Sequence, residues 1–133
     1  MLCDHSDFRL KLAEELGFAV CNPAAEDFAA RAAAYFGTAP SLSGPTADID
    51  CWPDAAGAES ILNDFLRLGK IESRFVSVAV NDKPRTIDLL HTTYAQQSMI
   101  GSGGYMPEDV QEIMSCGKWD LERIITHEFP LVE

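Results

Sequence analysis

The feature that most constrains this chain is the regular alternation of short apolar runs with segments of helical periodicity. "FAVC" reads as a strand ended by Asn22-Pro23, and "EDFAARAAAYFG" follows as an alanine-rich helix over 26–36, stopped by Gly37. "TAPSLSGPT" is a loop by composition. "ADIDCWPDAAGA" predicts a strand running into a tight turn at Gly57. Residues 60–68 predict a helix that offers Ile61, Leu62, Phe65, Leu66 and Leu68 to a core before Gly69 ends it. "RFVSVAV" reads as the clearest buried strand and "NDKP" as a turn. Residues 86–97 read as a helix, "SMIGSGG" as a short strand into a glycine loop, 107–115 as a helix and "RIITHEF" as a last strand. Strands separated by helices of about ten residues require crossover connections, so the pattern predicts an α/β fold with a mainly parallel sheet.

The first residues sharpen this expectation. Met1-Leu2-Cys3 has the character of a strand end, with Asp4 directly after it. Ser6 and Asp7 can cap a helix, Phe8, Leu12 and Leu16 recur at four-residue intervals on one helical face, and Gly17 supplies a stop. Strand end, acid and helix in that order match the second half of a dinucleotide-binding βαβ unit, in which the acid bonds the cofactor ribose. The glycine-rich phosphate loop expected about 20 residues earlier has no residues in this sequence. The chain is therefore expected to start partway through a domain.

Composition limits the partners. The 133 residues are 47% hydrophobic, enough for one domain and short for two. No apolar run approaches the roughly 18 residues of a membrane span, and the start lacks a signal peptide, so a cytoplasmic location is expected. Ten Lys and Arg stand against 21 Asp and Glu, a net charge of −11. That balance opposes binding to nucleic acid or to an anionic membrane surface. Cys3, Cys21, Cys51 and Cys116 lie far apart and His5, His91 and His127 form no ligand pair. The spacing predicts reduced cysteines and no metal site built within these residues.

The order "CDHSDFRLKLAEELGF…NP…DIDCWPDAAGAESILNDFLRLGKIESRFVSVAV…IGSGGY…ERIITHEFPL" resembles the coenzyme domain of medium-chain, zinc-type alcohol and polyol dehydrogenases, the family of sorbitol, butanediol and threonine dehydrogenases. The likeness runs from Asp4 to Leu131. It implies that residues 1–133 are a partial nucleotide-binding domain, a Rossmann-like doubly wound sheet lacking its first strand and its glycine-rich loop. That strand lies at the centre of the sheet, so its absence implies two half-sheets with open inner edges. The resemblance also places the catalytic zinc and its Cys, His and Glu ligands in a separate domain absent here, so no catalytic and no metal-binding residue is assigned. Three departures stand out. Pro53 falls in the segment expected to be an inner strand, where it removes a ladder donor. The stretch between Tyr105 and Gly117 looks a helical turn short, and "FPLVE" stops where the family continues.

The resemblance carries a set of cofactor positions. Asp4 matches the acid that accepts the adenosine ribose hydroxyls and favours NAD over NADP; it equally suits a helix N-terminal charge. Arg9 matches a basic residue against the adenosine half, or is a solvated helix arginine. Ala55, Ala56 and Gly57 match the strand-end turn that passes close to the cofactor, although any tight turn favours glycine. Val78, Ala79 and Val80 match the strand-end backbone that bonds the nicotinamide amide, or are plain core. Gly103 and Gly104 stand beside the expected nicotinamide ring, or form a flexible loop.

Two function classes follow. One is part of an NAD-dependent alcohol or polyol dehydrogenase, its binding of the nicotinamide dinucleotide weak or lost and its reaction not run by this chain alone. The other is a non-catalytic homologue acting through self-association, as a homo-oligomer, or by pairing with an intact relative. A nucleotide-binding or methyltransferase-like α/β domain would also use an acid after its second strand, but leaves the "RFVSVAV" and "GSGGY" spacing unexplained.

Overall fold

The computed structural model describes residues 1–115 and 121–131. The chain forms two compact units, one of residues 1–26 with the segment from 105 onward, the other of residues 27–104.

The first unit opens with strand β1 (Leu2–Cys3), helix α1 (Asp7–Glu15) and strand β2 (Val20–Cys21). β1 and β2 pair in parallel, with Leu2 opposite Val20 and Cys3 opposite Cys21. Ser6 caps α1 as expected, its side chain accepting from the Arg9 amide. Gly17, at φ 87°, turns the chain back into β2. The buried side of α1 differs from the expected Phe8, Leu12 and Leu16 face. Leu10 and Ala13, three residues apart, are the buried positions instead, while Phe8 is 63% exposed. A two-stranded sheet covers only a narrow stripe of a helix, and the rest of the apolar surface lines a cleft.

Helix α5 (Pro107–Ser115) lies where expected. The strand expected from "RIITHEF" does not form: Leu121–Ile124 is a 3-10 turn and residues 125–131 have no regular structure. A strand exists only through a ladder, and no described segment pairs with this one. Cys116, the end of the shortened stretch before Gly117, and the last two residues of "FPLVE" lie outside the described residues.

The second unit begins with α2 (Phe28–Phe36), capped by Asp27 and ended at Gly37, φ 81°. The segment expected to be a loop is instead a hairpin, β3 (Thr38–Ser41) against β4 (Gly44–Ala47), antiparallel with Pro40 opposite Pro45. The Ser41 hydroxyl donates to Gly44 O (2.7 Å) and accepts from the Ser43 amide, which closes the turn without help from apolar side chains. Beyond it lie β5 (Cys51–Asp54), α3 (Glu59–Leu68), β6 (Arg74–Ser77), α4 (Leu89–Tyr94) and β7 (Ser98–Gly101). The three strands form one parallel sheet in the order β5-β6-β7. Its core is Trp52, Leu62, Phe65 and Phe75, with Phe65 between the rings of Trp52 (6.0 Å) and Phe75 (5.2 Å).

Two elements are shorter than expected. β6 stops at Ser77, and Val80 is fully exposed rather than core. α4 starts after Asp88, which caps it through the His91 amide; Pro84 and the cap hold residues 84–88 out of the helix.

The expected two half-sheets are present: β1-β2 and β5-β6-β7 are separate ladders. Pro53 has a different consequence from the one expected. Asp50 O and Asp54 O accept from Arg74 N and Val78 N, so the even residues of β5 face β6. Parallel alternation turns the backbone groups of Cys51 and Pro53 toward the opposite edge. The missing N–H of Pro53 thus costs no bond to β6 and instead blunts an edge strand.

Candidate functional site

In the first unit, Asp4 stands directly after β1, where a parallel strand delivers its last side chain. Asp4 Oδ1 accepts from the Ser6 amide (2.8 Å) and Oδ2 from Arg9 Nη1 (3.3 Å). These bonds, the Ser6 amide first, lower the carboxyl pKa below the ordinary aspartate value. Asp4 and Arg9, expected separately at the cofactor, are thus brought together. Beside them opens a cleft of about 790 Å³, lined by Leu2, Phe8, Leu12 and Leu16 and, from the C-terminal segment, by Ile124 and His127. An ionised carboxylate at the rim of an apolar cleft suits a ligand with hydroxyls joined to a flat apolar ring.

Cys3 and Cys21 stand opposite one another on β1 and β2. Desolvation raises both pKa values, that of Cys21 to about 12. Cys3, Cys21 and Cys51 are free thiols. Among the described residues, no group of three or more His, Cys, Asp or Glu side chains is placed to hold a metal ion.

In the second unit the parallel strands deliver three turns to one end of the sheet. Ala55, Ala56 and Gly57 follow β5, Val78, Ala79 and Val80 follow β6, and Gly103 and Gly104 follow β7. The first turn is tightly determined. The buried Asp54 carboxylate accepts from the Ala56 (3.0 Å) and Gly57 (2.8 Å) amides. Gly57 has φ 69°, and a Cβ there would lie 3.1 Å from Ala79 Cβ. Ala55 and Ala56 are exposed on its outer side.

The amides of Val78 and Ala79 both donate to Asp54 O (2.9 Å each), so within the fold these two groups tie β6 to the β5 turn. Gly103 and Gly104 have open space around them, with φ 75° at Gly104. A pocket of about 220 Å³ lies at this end, lined by Asp54, Gly57, Ser77, Asn81, Lys83 and Arg85 among others. Sequence reasoning misses Asp54, Asn81 and Arg85. An aspartate directly before Ala-Ala-Gly is an Asx-turn signal that could have found the first; nothing local marks the other two.

A parallel strand-helix-strand with an acid at its turn, and a parallel sheet whose turns gather at one end, define a partial Rossmann-like coenzyme-binding fold. Residues 1–119 match the family model of zinc-binding dehydrogenases, and the chain belongs to that family. Among solved structures it is similar to the short chain alcohol dehydrogenase of Escherichia coli CFT073 complexed with NADH. The identity is 25% and the TM-score 0.72, covering 96% of this chain and 36% of that one. It is also similar to an alcohol dehydrogenase of Thermus sp. ATN1 (21% identity, TM-score 0.71, 94% and 35% covered). A third likeness is to the 2R,3R-butanediol dehydrogenase of Bacillus subtilis (21%, TM-score 0.69, 91% and 33%). The chain thus spans about a third of the length of these proteins. No curated protein matches it significantly. Among the described residues, no helix is long and apolar enough to cross a membrane.

Proposed function

We propose that this chain is the coenzyme-binding part of an NAD-dependent alcohol or polyol dehydrogenase, a single partial nucleotide-binding domain working in the cytoplasm. The observation that carries the reading is Asp4, a carboxylate kept ionised at a strand end beside an apolar cleft. Asp4 accepts the ribose hydroxyls of the adenosine half, with Arg9 beside it, and its charge disfavours the extra phosphate of NADP. The turn at 55–57 passes close to the cofactor, and those at 78–80 and 103–104 serve the nicotinamide. When bound, the nicotinamide supplies the hydride acceptor; these residues bind and orient it, and none is assigned a proton transfer. Among the described residues no group of three or more ligand side chains is placed for zinc, and no step at zinc is assigned to them. The 133 residues alone are expected to oxidise no alcohol.

Calorimetry with NADH tests the assignment. These residues include no glycine-rich loop to hold the pyrophosphate, so the expected affinity is about millimolar, roughly 4 kcal/mol, and Asp4→Ala weakens it further. Micromolar binding unchanged in Asp4→Ala contradicts it.

A second reading, association without catalysis, is favoured by the edge strands: Cys3 on β1 and Cys51 on β5 direct backbone groups away from their own sheets.

A further inference from the structure

We infer that Arg85 and Asn81 are positioning residues for the nucleotide, acting on it through the carbonyl of Gly57. The inference deepens the reading of the 55–57 turn as a coenzyme contact and rests on it. Gly57 O accepts two side-chain donors, Arg85 Nη2 at 2.7 Å and Asn81 Nδ2 at 3.0 Å. Both come from the loop after β6, and the carbonyl they hold belongs to the loop after β5.

In the two peptides just before that carbonyl, Asp54 holds the Ala56 and Gly57 amides. The turn is therefore gripped through its N–H groups from within its own strand and through its carbonyl from the neighbouring loop. Arg85 is itself restrained, with Nη1 3.3 Å from Glu59 Oε2 at the first turn of α3 and a side chain only 22% exposed. A planar guanidinium can serve Gly57 O and Glu59 together, whereas an ammonium is a single point charge.

What this grip leaves outward is the exposed methyl surface of Ala55 and Ala56. Neither alanine can reach for a ligand, so any contact made there depends on where the backbone stands. Loss of the carbonyl clamp frees Gly57, a residue with the widest backbone freedom, to move the whole turn. Arg85 and Asn81 then affect ligand affinity without touching the ligand.

The test measures NADH affinity and residue-resolved amide exchange by NMR on the full chain, for wild type, Arg85→Met, Arg85→Lys and Asn81→Ala. Asn81 is exposed, so Asn81→Ala retains the fold even where an arginine variant does not. Expected are a loss of NADH affinity of roughly fivefold to tenfold in Arg85→Met and a smaller loss in Asn81→Ala and Arg85→Lys. Faster exchange at Ala56 and Gly57 accompanies it, with Phe75 and Val76 unchanged. Wild-type affinity in both Arg85→Met and Asn81→Ala overturns the inference. So does a loss that merely follows faster exchange at Phe75 and Val76, since that is global destabilisation. Wild type that binds no NADH overturns the coenzyme reading and this inference with it, while the exchange at Ala56 and Gly57 shows separately whether the clamp exists.

Discussion

Asp4 shows how much a single residue can tell from sequence. Its place after an apolar dipeptide and before a capped helix is enough to single it out, and the structure gives its carboxylate two donors. Because the folded pKa is lowered, Asp4 stabilises the fold above the unfolded value of about 3.8, and the contribution is lost as pH falls through the depressed folded value. Thermal melts should therefore place Asp4→Asn below wild type near neutrality, by about 0.5 kcal/mol at most for so solvated a pair. The gap should close in acid; one that widens in acid contradicts the assignment. Cys21 gives a second expectation at this scale. Fully buried, with a thiol pushed up to about 12, it should resist maleimide at neutral pH while the exposed Cys51 reacts, as peptide mass mapping would show. Equal labelling of both in the folded chain contradicts its burial. Asn81 and Arg85 are not legible in the sequence because their role depends on a carbonyl 24 and 28 residues away.

Among the elements, those with periodic apolar residues and a clear stop are legible: α1, α2, α3 and α5 lie within two residues of expectation. The β3–β4 hairpin is not, since its Pro, Ser and Gly content matches a loop and its turn is closed by a hydroxyl. β6 is shorter than its apolar run because composition does not reveal where a neighbouring strand stops. Gly69 makes the contrast between space and backbone testable. Its φ is not in the left-handed region, yet a Cβ would stand 2.6 Å from Phe65 O and Gln97 Nε2 and 2.9 Å from Ser73 Oγ. Phe65 O is backbone and cannot swing aside, so Gly69→Ala should cost about 1–3 kcal/mol in denaturant unfolding. Gly17→Ala meets nothing within 4 Å and suffers only from its φ of 87°, a cost of about 1 kcal/mol. A harmless Gly69→Ala would show that the α3 end does not pack against Gln97 as described.

For the whole molecule, two parallel sheets replace the single one that a complete coenzyme domain would form. Edge strands recruit partners unless blunted, and Pro53 blunts only one position of β5. The chain is therefore expected to self-associate, with concentration-dependent sedimentation; a concentration-independent monomer contradicts this. The net charge of −11 limits such association at low salt, so added salt should strengthen it. That these residues are the coenzyme-binding part of a dehydrogenase is tested most directly by mapping NADH onto the chain by ¹H–¹⁵N NMR titration. The expected shift changes concentrate at residues 4–9, at the 55–57 turn and at 78–80, saturate in the millimolar range and are attenuated in Asp4→Ala. Changes scattered over the surface, or none at these positions at NADH concentrations well above the millimolar range, would contradict it.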